Sequence, residues 1–507
     1  MSRARNSLRN AGASFASQLI SALLRFACRT AFLYTLGAEY LGIPALYTNV
    51  ITLLSVSELG FSTVITFHLY QPLAKGDHAM VRALMAFYRK VYRVVGLVVL
   101  VLGLCLMPAL PHLMTGVTDK VNIYLYYLIY LAQTVVSYLF FAYKSVLLVA
   151  DQKKYLVDAA FCLVQVVFCG LQIAALVVLR SFLWYTLLSV AATAVQNMAA
   201  ALLTARRYPW LQGEAATLDA PAKRNLFKAA YAMFLQRISV VIGTATDNLI
   251  ISAFVSNLAV GLYSNYSMVV TTVQVVISNA VRALTASLGD LYAAGQRERS
   301  YRVFRTLQLA LCWLLTVCAT CFLVLFRPFI IMWAGESYLL DNFTTAVIAF
   351  NFLTNFLQLG VLMYRDATGL FVVGKYRSVI NAVLNLVLSL LMVHPLGMAG
   401  VFLASIISRL ATNWWFDAYI LFYRGFDASP RWYYGHCILS VCVTAVCAAS
   451  IHTLCAPMAL AGWTELGIKL LLALTLPTVV YGLLFGRSRE AKDLYTRALT
   501  LVRKRGT

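Results

Sequence analysis

Arg25 and Arg29 stand four residues apart inside an apolar stretch, Asn10 to Leu36, and that spacing puts both guanidinium groups on one face of a helix. A lone cation at bilayer depth is costly and a pair more so, so the pair implies that something negative meets it. Arginine suits an anionic ligand because its planar fork binds oxygens in pairs and stays charged at any physiological pH. The chemistry expected here is ion binding, not bond making. Further polar residues fall at depth in other apolar stretches. Glu58 lies near the level of Arg25 in the second stretch, Arg237 and Asp247 belong to the seventh, Arg282 to the eighth, and Arg409 and Asp417 to the twelfth. Two arginines against the single carboxylate of Glu58 leave surplus positive charge, which favours an anionic ligand over a mere lock between helices. Glu58 and Asp247 are candidates for ion pairing or for coupling to a transported ion. Asn351, Asn355 and Gln358 recur at helical spacing, as do Asn381 and Asn385. With Arg409 they are candidates to line a cavity, the plainer reading being hydrogen-bonded glue between helices. Arg237 and Arg282 also have a plain reading, as cations reaching an interface along their stems, and Lys144 and Arg365 are read as interfacial.

The elements that carry these residues follow from composition. With 61% hydrophobic and 12% charged residues over a length of 507, the chain cannot divide into a soluble core and surface. The fold class expected is all-α, a polytopic membrane protein. About fourteen apolar stretches, from Asn10–Leu36 to Leu466–Phe485, are long enough for the roughly 20 residues that a hydrocarbon layer demands. Charge tests the count independently, because Lys and Arg collect in cytoplasmic loops. Alternate loops and both termini hold 30 of the 41 Lys and Arg residues, against Lys120, Arg180 and Arg327 in the opposite loops. Both ends are therefore expected in the cytoplasm. The one sizeable polar connector, around 206–225, follows six stretches, and Gly42 to Asn49 (GIPALYTN) is echoed by Gly261 to Ser267 (GLYSNYS). These mark an N-lobe over 1–205, a linker over 206–225, a C-lobe over 226–424, and two further spans with a basic tail over 425–507.

Several function classes fall away. The formal charge of +22 fits attraction to anionic lipid headgroups, so no nucleic acid is expected. A cleavable signal is not expected either, since the first apolar run is too long and leads straight into a second. Eleven cysteines sit in or beside apolar stretches, which implies neither disulfides nor a metal site. Gly369, Gly374 and Lys375 outline a phosphate-binding loop, but Tyr376 occupies the Ser/Thr position and no strand precedes it. Six scattered histidines lack metal or nucleophile spacing. Neither cofactor nor metal is expected, and the chain is read as no enzyme. A glycan polymerase is the enzyme alternative, disfavoured because the longest outer loop, 327–342, leaves no room for an external domain.

Arginines in the first span, Leu36 to Gly42 (LGAEYLG), Leu54 to Gly60 (LSVSELG), Leu69 to Ala74 (LYQPLA) and the stretch Gly261 to Leu291 ending in TASLGDL together resemble bacterial polysaccharide-export flippases. These belong to the multidrug/oligosaccharidyl-lipid/polysaccharide exporter superfamily and are relatives of the lipid II flippase. The resemblance implies two six-helix lobes around a central cavity, alternating access, and transfer of undecaprenyl-diphosphate-linked oligosaccharide from the inner to the outer leaflet of the plasma membrane. It assigns the diphosphate to Arg25 and Arg29, and with less support to Arg237 and Arg282. The partners implied are the lipid-linked substrate, membrane lipids, H+ or Na+ as candidate counter-ion, and glycan assembly machinery. A cation-coupled multidrug exporter of the same fold is the rival, disfavoured because the charge at depth is cationic.

Overall fold

The computed structural model describes residues 3–37, 40–55, 61–113, 122–139, 142–213, 217–293, 296–367, 376–458 and 462–503. Among these no strand occurs, and the protein is all-α. Ten helical stretches are long and apolar enough to cross a membrane, which makes it a multi-pass membrane protein. The chain divides into two compact units, 1–261 and 262–507.

The first unit begins with α1 (Arg3–Leu36), followed by α2 (Gly42–Leu54), α3 (Phe61–Lys75) and α4 (His78–Leu106). Then come α5 (Ile123–Leu139), α6 (Lys154–Val177), α7 (Phe182–Arg207) and α8 (Ala220–Phe254). Starts are set by capping side chains: Asp77 accepts from the Met80 amide at 2.9 Å and Ser181 from that of Trp184 at 3.4 Å. Each satisfies an amide that the first turn leaves without a carbonyl. A seam of small polar groups zips α1 to α6. Ser14 donates to Asp158 at 2.5 Å, Ser21 to Gln165 at 2.6 Å, and the Cys28 and Cys169 thiols meet at 2.8 Å. The partners advance together along both helices, by seven and seven residues on α1 and by seven and four on α6, so the two helices run the same way. Outward faces carry bare aliphatic groups such as Leu163 and Val178, as expected where lipid is the solvent.

Helix α8, expected to open the C-lobe, groups with the first unit, because Phe227 makes edge-to-face contacts of 5.6 Å with both Phe61 on α3 and Phe87 on α4. The start of the next helix is also held there: a Cβ at Gly42 would lie 2.1 Å from the Asn257 carbonyl oxygen, so only glycine lets these backbones approach.

The second unit contains most of α9 (Asn257–Ala293), then α10 (Arg297–Trp333), α11 (Asn342–Phe356), α12 (Leu359–Ala367) and α13 (Arg377–Arg409). Short α14 (Trp415–Ile420), then α15 (Arg431–Cys455), α16 (Gly462–Phe485) and α17 (Arg489–Arg503) complete it. Helix α10 is central: 61% of its apolar stretch is buried, against 17% for α16 at the margin. Val324, Ile451, Cys455 and Ala473 knit α10, α15 and α16 into one apolar cluster. Continuous helix hides a hairpin within α13, where Gly397 adopts φ 55°. Asn385 reaches Ser405 at 2.8 Å and Asn381 reaches Thr412 at 3.0 Å, although a straight helix would separate residues twenty apart by about 30 Å. The chain therefore doubles back beside Pro395, and Gly400 packs against Met392, whose carbonyl oxygen a Cβ would meet at 2.1 Å.

Candidate functional site

The zipper between α1 and α6 fixes how α1 is rotated. Phe32, 2% exposed, sits edge-on to Phe182 and Tyr185 of α7, at 5.8 and 5.5 Å, and completes the anchored face. Arg25 and Arg29 flank that face. Arg25 is exposed and has neither hydrogen bond nor ion pair with a described residue. Arg29 is half-buried, donates to the Gly261 carbonyl oxygen at 3.3 Å and lies 5.9 Å from the Phe32 ring centre. Phe32 in turn lies against Tyr185, which shares a cavity wall with Tyr130.

Those two tyrosines belong to the wall of a cavity of about 650 Å³ inside the first unit, within the roughly 300–1,000 Å³ of small-molecule sites. Helices α2, α4, α5 and α7 build it. Of its fourteen lining residues, eleven carry hydroxyls, Gln133 a carboxamide, and none a formal charge. Several hydroxyls donate to their own helix four residues back: Thr48 to Pro44, Thr52 to Thr48, Thr134 to Tyr130 and Thr193 to Ser189, at 2.6–3.2 Å. Gln133 donates to Thr193 at 3.1 Å and Gln172 to Ser189 at 2.8 Å, which ties α5 to α7 and α6 to α7. Through Phe32 and Tyr185, Arg29 thus stands near a hydroxyl-rich chamber with no charge among its described lining residues.

The remaining candidate residues are placed differently. Glu58 lies outside the described residues, as do the side chains of Arg237 on α8 and Arg282 on α9. Asp247 is half-buried on α8. In the second unit, Arg409 donates to Asn351 Oδ1 at 3.1 Å and Thr354 Oγ1 at 3.2 Å. Asn381 and Asn385 join the two arms of α13; Gln358 is 3% exposed and Asn355 is exposed. Arg365, read from the sequence as interfacial, is buried with Arg377 against Asp417: its Nη1 lies 2.7 Å from Asp417 Oδ1, and Arg377 pairs with the same carboxylate. The phosphate-loop outline at 369–375 lies outside the described residues.

Sequence reasoning passed over the cavity wall because a Ser or Thr that bonds its own preceding turn reads as neutral helix. A signal was present: Tyr130, Gln133, Thr134 and Ser137, and again Tyr185, Ser189 and Thr193, recur at helical spacing along one face.

Among solved structures, the chain resembles the lipid II flippase MurJ in an inward closed conformation. The two share 11% identity over 94% of this chain and 99% of that one, with a TM-score of 0.66. It also resembles an inward-facing multidrug resistance transporter of the MATE family in the MOP superfamily, at 14% identity over 79% and 95% of the two chains and a TM-score of 0.55. A MOP superfamily transporter from Pyrococcus furiosus is similar at 13% identity over 80% and 92%, with a TM-score of 0.53. At such identities the likeness establishes the fold, which the chain shares with a membrane flippase and membrane transporters. No curated protein sequence matches the chain. The family model described as polysaccharide biosynthesis protein matches residues 7–285, more than half of the chain, and the protein belongs to that family.

Proposed function

We propose that the protein is a flippase carrying undecaprenyl-diphosphate-linked oligosaccharide from the inner to the outer leaflet by alternating access, in surface polysaccharide biosynthesis. The observation that carries this reading is Arg29 beside Phe32, whose ring meets Tyr185 in the wall of a polar cavity with no charge among its described lining residues. A sugar-bearing diphosphate cannot enter hydrocarbon alone, because desolvating one isolated ion costs tens of kcal/mol in a Born estimate. Arg25 and Arg29 meet the phosphates, the hydroxyl-rich chamber takes up polar headgroup, and the lipid tail stays in the bilayer. Arg237 and Arg282 are assigned to the same anion path. Glu58 and Asp247 are the groups through which H+ or Na+ would couple. An inside-negative potential, worth about 2.3 kcal/mol per charge per 100 mV, could equally reset a cationic carrier. In this reading fourteen spans, with lobes at 1–205 and 226–424, place both termini in the cytoplasm of the plasma membrane, where the tail meets anionic lipid and the glycan assembly machinery. No described residue of the cavity lining carries a carboxylate, which weighs against export of cationic drugs.

The test is complementation of a deletion strain. Arg25→Ala and Arg29→Ala are each expected to abolish surface glycan and accumulate the lipid-linked intermediate at unchanged protein level. Glycan export retained in both variants would remove the anion-binding role.

A further inference from the structure

Resting on the flippase reading, we propose that the cavity of the first unit is a selectivity site for neutral, hydroxyl-rich sugars and rejects acidic ones. The first reason is charge. None of the fourteen described lining residues is ionisable at neutral pH, and a carboxylate moved among them would lose hydration with none of them to replace it by a cation. Arg25 and Arg29 do not relieve that cost, because in the loaded carrier they face the diphosphate.

Hydrogen-bond polarity is the second reason. Thr48, Thr52, Thr134 and Thr193 spend their protons on carbonyl oxygens of their own helices, so what each has left to offer is acceptor lone pairs, one of which Thr193 gives to Gln133. The wall is therefore biased toward accepting. A ligand rich in donors suits it, which favours the hydroxyls of an uncharged pyranose over the acceptor-only carboxylate of a uronic acid.

Shape is the third. Tyr92 from α4, Tyr130 and Tyr138 from α5, and Tyr185 from α7 bring aromatic surface to the same chamber. Ring faces are electron-rich and suit the polarised C–H faces of sugar rings. Tyr–Tyr and Tyr–Phe contacts hold them: Tyr92 meets Tyr138 at 5.6 Å, Tyr130 meets Tyr47 at 5.6 Å, and Tyr185 meets Phe32 at 5.5 Å. The aromatic wall is thereby preorganised, which lowers the ordering cost of binding.

Equilibrium binding to the protein in nanodiscs tests this with three probes: farnesyl diphosphate, the same lipid diphosphate bearing a neutral trisaccharide, and its counterpart in which the sugars are uronic acids. The neutral glycan is expected to bind about tenfold or more tighter than the bare diphosphate, and the uronate no tighter than it. Thr134→Val and Gln133→Leu are each expected to erase about five- to tenfold of the neutral-glycan increment, the value of a lost hydrogen bond, while the bare diphosphate binds as before. Thr134→Val keeps side-chain shape, so a folding defect in Gln133→Leu leaves the test intact. Equal or tighter binding of the uronate, or a neutral increment that survives both substitutions, would overturn the assignment. A failure of the flippase reading looks different: bare diphosphate binding would then ignore Arg25→Ala and Arg29→Ala.

Discussion

In the second unit, Asp417 is 1% exposed and takes the charge of both Arg365 and Arg377, while Arg409 is spent on Asn351 and Thr354. On α1 of the first unit the arrangement is reversed. Arg25 meets no hydrogen-bond or ion-pair partner among the described residues, and Arg29 donates to a backbone carbonyl oxygen. Cations buried on a carboxylate hold helices together, whereas Arg25, which meets no such carboxylate among the described residues, is a cation that a ligand could use. Arginine at membrane depth is thus not one signal but two, separated by whether the surrounding fold already supplies the counter-charge.

The largest effect expected from this contrast is structural and lies in the second unit. Asp417→Ala leaves two buried guanidinium groups without their shared carboxylate and should destabilise by about 3–5 kcal/mol. Thermal unfolding in detergent would read it as a large drop in Tm and poor expression. Near-native stability would mean that this cluster is solvated and that the two regions do not differ as described.

Substitution on α1 should do the opposite. Arg25→Ala should leave Tm within about 0.5 kcal/mol of wild type, as for exposed positions away from special features, while surface glycan is lost. Arg25→Lys sharpens the point: it keeps the charge but replaces a planar fork by a point donor. Partial export, reduced about tenfold, is expected, because charge-assisted hydrogen bonds contribute about 1.5–3 kcal/mol. Full export by the Lys variant would show that charge alone suffices.

These regions also differ in how far they could be read in advance. Apolar runs mark the helices, and the four-residue spacing of Arg25 and Arg29 marks the cationic face, because both are local patterns. What local pattern omits is the partner. Asp417 lies 52 residues from Arg365, so nothing nearby in the chain separates its ion pairs from a ligand site, and Arg365 reads as interfacial. Phe227 of α8 meets Phe61 and Phe87, contacts between residues more than a hundred positions apart that no local pattern announces. The turn at Pro395 and Gly397 was legible as the gap between two spans, since Gly takes the left-handed φ that other residues avoid. The cavity was not, because its hydroxyls satisfy themselves within their own helices.

Hairpin geometry gives a mid-sized prediction. A Cβ at Gly400 meets the backbone oxygen of Met392 at 2.1 Å, so Gly400→Ala must push the arms of α13 apart at a cost of about 1–3 kcal/mol. Because Asn385–Ser405 and Asn381–Thr412 span the same arms, the Tm loss should be accompanied by faster proteolysis in this region. An unchanged Tm would mean that the arms yield freely, and Arg409 would then sit on a looser support than Arg29.

The smallest effect tests whether the contrast belongs to units or to sites. Tyr208, 6% exposed at the end of α7, donates to Asp151 at 2.5 Å, and Asp151 also pairs with Lys153. Here, in the first unit, a carboxylate is consumed as in the second. Burial, and then the bond to Asp151, push the Tyr208 hydroxyl above its usual range. Since the folded state holds this proton more tightly than the unfolded chain does, the contribution is complete below the unfolded value of about 10 and fades as pH rises beyond it. Tyr208→Phe should therefore lower Tm at neutral pH by the equivalent of about 1–2 kcal/mol, with the difference from wild type shrinking in strongly alkaline buffer. Export should survive, because the cluster stands apart from the cavity lining. Loss of export at an unchanged Tm would place ligand-directed charge at this end of α7 as well, and the division between spent and reserved charge would no longer follow the cavity.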